Sequence, residues 1–249
     1  MKNVLITGVS SGIGKALTKL LLTKGFRVWG IARRKELLLE LKKELHSDKF
    51  IFTAADIKAE NFWENLIKEF NKKNFIPQEV VFNAAVNEND LVDGINLEKT
   101  REMMEVNFFS ILRGVEIIIK NYPKKLHFIA ISSTSAFKGN HKEGIGYAAS
   151  KGALSIAFES LFQKYFKSRV VFTTIFFGPV KTGMIRFVKA PPLTLTADRA
   201  AECILNAINE RKPFYYYPKL SFFMLSLLRL LPNQVFFKLW INMQKSYVN

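Results

Sequence analysis

Short apolar runs alternate with amphipathic stretches from one end of the chain to the other. The runs lie at residues 3–7, 26–32, 49–54, 79–83, 126–132 and 169–176. Between them, residues 15–24, 34–46, 61–73, 97–121 and 147–166 carry apolar positions at helical spacing. In the second stretch Leu37, Leu38, Leu41 and Leu45 share one face, with Lys42, Lys43 and Glu44 elsewhere. Val80-Val81-Phe82 and Phe128-Ile129-Ala130-Ile131 are apolar at every position, as expected of strands buried on both faces. Strand–helix alternation of this kind predicts an α/β fold in which helices cover both faces of a parallel sheet. Since no linker, repeat or low-complexity stretch divides the chain, the expectation is one domain with a C-terminal helical appendage.

Composition changes this picture little. The 249 residues and 28.6 kDa suit one or two domains, and 49% hydrophobic content suffices for one large core. Cys203 is the one cysteine and cannot form an internal disulfide, so a reduced cytoplasm is the default compartment. The opening Met1-Lys2-Asn3-Val4-Leu5-Ile6-Thr7-Gly8 turns to glycine too soon for an export signal and reads as a first strand. A net charge of +16 and a pI near 9.8 suit nucleic acid, an anionic membrane, or an anionic cofactor and substrate. The cations are spread over every segment rather than gathered in a patch, which favours a solvated surface over a nucleic-acid partner. His46, His127 and His141 are scattered, and Cys203 shares a helical face with Ala200, Ile204 and Ala207. No metal-ligand spacing results, and no metal is expected.

The first strand runs into Thr7-Gly8-Val9-Ser10-Ser11-Gly12-Ile13-Gly14. Glycines let backbone N–H groups approach a diphosphate, and the helix N-terminus behind them adds partial positive charge. Many glycine-rich turns are only turns; this one follows the first strand of an alternating chain, where a cofactor loop belongs.

The T-G-x-x-x-G-x-G spacing resembles the short-chain dehydrogenase/reductase family, and the resemblance continues through further motifs to about residue 217. It implies a single doubly wound Rossmann-type domain over residues 1–217, leaving 218–249 as the appendage, and a nicotinamide cofactor held by Gly8, Ser10, Ser11, Gly12, Ile13 and Gly14. The second strand ends at Ala32-Arg33-Arg34. An acid at this place would bond a ribose 2′-hydroxyl, whereas a 2′-phosphate requires cations. The missing acid and the adjacent Arg33 and Arg34 point to NADP(H), with Arg33 offering a planar fork. The resemblance also implies that Asp56 and Ile57 contact adenine. It further implies that Asn83-Ala84-Ala85 lies along the cofactor ribose, with Ala85 in place of the family's glycine.

Tyr147-Ala148-Ala149-Ser150-Lys151 sets a phenol and an ammonium four residues apart, on one helical face. Free tyrosine has a pKa of about 10, and a nearby cation draws it toward the working range. Such spacing is common by chance; its place after Ile131-Ser132-Ser133 matches the family's catalytic segment. There the serine usually stands thirteen residues before the tyrosine, which is Thr134 here. The strand-end pattern instead aligns Ser133, fourteen before, with one extra residue in loop 138–146. Ser133 is preferred over Thr134 and Ser135. Asn107 resembles the fourth catalytic member, holding a water that passes protons from Lys151 to solvent. The alternative is a helix-interior asparagine bonding a local carbonyl.

Phe177-Gly178-Pro179-Val180-Lys181-Thr182 resembles the family's P-G-x-V-x-T loop, with Phe177 for proline; Val180 and Thr182 would hold the carboxamide. Residues 185–196, with Arg186, Lys189 and Pro191-Pro192, should cover the substrate. After Pro213 the chain becomes apolar and aromatic, and no acid follows Glu210, while Lys219, Arg229, Lys238 and Lys245 remain. The run at 220–231 is too short to span a bilayer. It suits either a helix lying in a membrane interface or a lid or dimer contact buried in protein.

The resemblance thus implies an NADPH-dependent reductase of a ketone or aldehyde, or the reverse dehydrogenase, on a small molecule that is lipid-like or otherwise apolar, with the cytoplasm as the default compartment. A homodimer or homotetramer through helices 97–121 and 147–166 and peripheral membrane contact through 218–249 complete the expectations. The competing classes are a nucleotide-sensing or membrane-surface binding protein on the same fold, and a nucleotide-sugar epimerase or dehydratase. A binding protein would shed Tyr147 or Lys151, and both are present.

Overall fold

The computed structural model describes residues 2–88, 94–122, 125–138, 144–183 and 193–245. Its centre is a seven-stranded sheet, parallel throughout, in the order β3-β2-β1-β4-β5-β6-β9. These strands are β1 (Asn3–Thr7), β2 (Arg27–Ala32), β3 (Phe50–Ala54), β4 (Glu79–Phe82), β5 (Leu126–Ser133), β6 (Val170–Phe177) and β9 (Phe214–Tyr217). A separate two-stranded ribbon pairs β7 (Val180–Lys181) with β8 (Leu195–Thr196).

Alternate side chains of each strand enter opposite cores. Val4 and Ile6 face one core and Leu5 the other; Val81 and Ile129 lie opposite Val80, Phe82 and Phe128. The first core is closed by α1 (Gly12–Thr23), α2 (Lys35–Leu45) and α7 (Ala197–Glu210). The second is closed by α3 (Phe62–Lys72), α5 (Ser110–Asn121) and α6 (Ile145–Lys164). The doubly wound α/β fold expected from the sequence is the one observed.

The stretch expected as one helix over 97–121 is interrupted. It comprises α4 (Leu97–Met104), a π-helical turn over Glu105–Phe109, then α5. The wider turn carries Asn107, whose side chain bonds to groups outside its own helix. Past β9 the chain forms α8 (Lys219–Arg229) and α9 (Asn233–Lys245), separated at Pro232. Pro213 and the aromatic run after it thus begin with a sheet strand: Phe214–Tyr217 pairs with Thr174–Phe177 of β6.

Strand order reverses between β1 and β4, so the crevice past their carboxyl ends is where a ligand fits on such a sheet.

Candidate active site

The glycine turn leaves β1 while still tied to β2, because Gly8 N–H donates to the Ile31 carbonyl at 2.7 Å. Gly12 opens α1 with φ +54°, a left-handed conformation that glycine adopts without strain. Gly14 packs directly on the turn: a Cβ there would stand 2.1 Å from the Gly8 carbonyl oxygen. Ser11, at the N-cap of α1, makes no side-chain cap, so it leaves the first N–H groups of that helix for another acceptor. From across the switch point, Asn83 braces the turn. Its N–H and that of Ala84 donate to Thr7 Oγ1 at 3.1 and 3.0 Å, and its Nδ2 donates to the Thr7 and Gly8 carbonyls, each at 3.1 Å. Ala85 follows, half-buried.

The two arginines diverge. Arg34, the N-cap of α2, donates from Nη2 to Ser10 Oγ and Ser11 Oγ at 3.0 and 3.1 Å. Arg33 Nη1 stands 3.9 Å from Asp56 Oδ2, with its side chain 60% exposed. Reading the sequence put the phosphate fork on Arg33; the structure lays Arg34 against the glycine turn. Adjacent positions at a helix start look alike in sequence, and only the backbone decides which side chain swings back. Asp56 Oδ1 accepts the Lys58 N–H at 3.1 Å, and Ile57 is buried beside it.

Helix α6 starts after Gly144 and carries Tyr147 and Lys151 one turn apart, with Lys151 Nζ 5.7 Å from the centre of the Tyr147 ring. Lys151 is buried, donates to the Ile131 carbonyl at 2.8 Å, and has its pKa lowered to about 8 by that burial. The serines at the end of β5 separate by strand alternation. Ser132 is buried toward α6, its Oγ 2.8 Å from Ser155 Oγ. Ser133 is half-buried at the strand terminus, its Oγ accepting the Ser135 N–H at 3.1 Å and donating to Ser135 Oγ at 3.2 Å. Thr134 and Ser135 begin the 3₁₀ turn Thr134–Phe137, and Ser135 is buried.

Asn107 is fully buried in the π-helical turn. Its Oδ1 accepts the Val86 N–H at 2.9 Å, while Nδ2 donates to the Val86 carbonyl at 2.9 Å and to Ser150 Oγ at 3.0 Å. It joins the segment after β4 to the face of α6 that carries Tyr147 and Lys151, rather than bonding a carbonyl of its own helix. Val180 is buried, and Thr182 comes over the glycine turn: its Cγ2 lies 3.2 Å from where a Gly12 Cβ would stand. The segment after β6 therefore closes on the segment after β1. Met184, Arg186, Lys189, Pro191-Pro192 and His141 lie outside the described residues.

A second polar cluster escaped the sequence reading. At the opposite end of the sheet, where β4 and β5 begin, Glu79 and His127 are fully buried, with Glu79 Oε2 2.7 Å from His127 Nδ1 and Glu79 Oε1 2.5 Å from Arg211 Nη2. Thr173 Oγ1 donates to the Lys212 carbonyl at 2.7 Å, so it accepts from His127 Nε2 at 2.8 Å. The imidazole thus carries a proton on Nε2, and burial lowers the His127 pKa from its ordinary value. Among the described residues no group of three or more His, Cys, Asp or Glu could hold a metal ion.

Comparison with known proteins agrees with this fold. The yeast Saccharomyces cerevisiae has an uncharacterised oxidoreductase 31% identical over 157 residues, covering 62% of this chain and 61% of that one. Its crystal structure superposes with a TM-score of 0.78 at 24% identity, covering 89% of this chain and 98% of the yeast chain. An NADPH-dependent pterin aldehyde reductase of Arabidopsis thaliana is 30% identical over 160 residues, 61% of this chain and 64% of the relative. These sequence matches span a little under two thirds of the relatives' length. A short-chain dehydrogenase of Burkholderia cenocepacia, crystallised with NADP, shares the fold at a TM-score of 0.75 and 22% identity, covering 92% of this chain and 94% of that one. The profile of the short chain dehydrogenases matches residues 2–192, from β1 and the glycine turn through α6 to the segment after β6, and the chain belongs to that family.

Proposed function

We propose that the protein is an NADPH-dependent oxidoreductase that reduces a ketone or aldehyde, or runs the reverse dehydrogenation, with Tyr147 as the proton donor. The observation that carries this reading is Lys151, a buried ammonium fixed on the Ile131 carbonyl beneath the Tyr147 ring.

The residues fit an anionic dinucleotide. The turn from Gly8 to Gly14 keeps side chains away from its backbone, α1 presents its N-terminus, and Arg34 with Ser10 and Ser11 offers cationic and hydroxyl donors for a 2′-phosphate. Ile57 and Asp56 would flank the adenine, Asn83 to Ala85 the ribose, and Val180 and Thr182 the carboxamide. The Arabidopsis relative, named for NADPH and an aldehyde, supports the same choice.

When bound, NADPH supplies hydride to the carbonyl carbon. Tyr147 gives its phenolic proton to the carbonyl oxygen, and Ser133 Oγ turns from Ser135 to stabilise the charge on that oxygen. The positive charge of Lys151 favours the phenolate left behind, which lets the same group accept a proton in the oxidative direction. Asn107 acts as a positioning residue, holding Val86 and Ser150 so that α6 presents Tyr147. The exposed Leu97, Phe109, Ile156 and Phe166 on α4–α6 and just beyond suit pairing of two copies through these helices.

The direct test is NADPH absorbance followed with a panel of apolar and sugar-like ketones and aldehydes, beside the same panel with NADH. Oxidation of NADPH at well above the NADH rate supports the reading, and no turnover with any carbonyl contradicts it.

A further inference from the structure

Helix α8 is apolar on two faces, and the body of the protein covers one of them. The inner face carries Leu225, which is buried, and Phe222, stacked on Tyr216 with ring centres 3.8 Å apart. The outer face carries Leu220, Phe223, Met224 and Leu227, spaced i, i+3, i+4 and i+7, and these are 50–60% exposed. Leu230 follows at 81%, and on α9 Val235, Phe237 and Leu239 are exposed while Phe236 is buried. An apolar stripe on α8, anchored from behind by Leu225 and Phe222, marks a surface made to meet something.

Charge selects the partner. No Asp or Glu follows Glu210, whereas Lys219, Arg229, Lys238 and Lys245 punctuate the same two helices. A second copy docked tail to tail would bring like charges together on a chain already at +16. Anionic headgroups around an apolar layer match both features. No described helix is long and apolar enough to cross a membrane, so contact would be along the surface.

We propose that α8 and α9 dock this protein on an anionic lipid membrane, with Leu220, Phe223, Met224 and Leu227 entering the headgroup boundary. The docked helix stands beside the catalytic turn: Phe222 is 5.2 Å from Phe137, which closes the 3₁₀ turn that follows Ser133. If the reductase reading holds, the site then opens near the bilayer, where an amphiphilic carbonyl compound would be drawn from the membrane.

The test is flotation of the full chain with vesicles of phosphatidylcholine alone or mixed with phosphatidylglycerol, at low and high salt. The expected result is capture by the anionic vesicles, weakened by salt and at least about tenfold weaker on phosphatidylcholine. Phe223→Asp with Leu227→Asp should abolish capture, and Lys219→Gln with Lys238→Gln should weaken it roughly thirtyfold. All four side chains are exposed, so circular dichroism and Tm should stay as in the wild type. Equal capture on both vesicles, or none on the anionic ones, would overturn the proposal. So would a fall in solution mass caused by the two aspartates, which would make the stripe a contact between copies. Turnover of a water-soluble carbonyl without vesicles reads the reductase separately and should be unchanged in these variants.

Discussion

Lys151 Nζ donates to the Ile131 carbonyl at 2.8 Å, so a cation on α6 is anchored to the strand that ends at Ser133. Helix and strand therefore share one fixed point, from which Tyr147 is one turn away along α6 and Ser133 is two residues away along β5. The price is a charge held out of water, and its pKa falls from 10.5 to about 8.

That shift has two consequences in pH. Between about 8 and 10.5 the unfolded chain binds the proton that folded Lys151 has released, so this group makes stability rise with pH across that window. The rise amounts to about 3 kcal/mol. Chemical denaturation of wild type and Lys151→Met at several pH values should show it as a difference between the two proteins, with the rise confined to wild type. In activity the sign is opposite: carbonyl reduction uses the charged form, so kcat/KM should decline above pH about 8.

Arg34, lying on Ser10 and Ser11, should carry the discrimination between phosphorylated and plain cofactor. Removal of charge-assisted hydrogen bonds costs about 1.5–3 kcal/mol, or roughly 10–100-fold in binding. Titration of Arg34→Ala should show that loss for NADPH and little change for NADH, with a smaller effect from Arg33→Ala. A larger effect at Arg33 would instead place the 2′-phosphate on Arg33.

Glu79 joins His127 and Arg211 at the end of the sheet away from the site. Breaking a buried ion pair by removing one partner typically costs 3–5 kcal/mol. Glu79→Gln should therefore lower the urea midpoint markedly, while the protein that remains folded turns over at the wild-type rate. Unchanged stability would show that the cluster does not hold the sheet together.

The sequence made the strands, the helices flanking them and the cofactor turn legible because each is written in local signals: periodicity, glycine spacing, and a Tyr–Lys pair one helical turn apart. What it hid depends on where distant segments meet. Glu79, His127, Thr173 and Arg211 come together only because β4, β5 and β6 are neighbours in the sheet. The π-helical turn carries Asn107 to bonds with Val86 and Ser150, residues on other elements. Aromatic Phe214–Tyr217 looked continuous with the apolar tail, yet edge pairing with β6 makes it a strand. The choice between Arg33 and Arg34 rests on the direction of one side chain.

Proton delivery by Tyr147 is tested by a single-turnover reaction of Tyr147→Phe with NADPH and a carbonyl found among the substrates. Loss of one hydroxyl should leave NADPH affinity within about threefold while slowing the chemical step by about 10²–10⁴-fold. A Tyr147→Phe protein that binds NADPH and reduces the carbonyl at the wild-type rate would contradict the account.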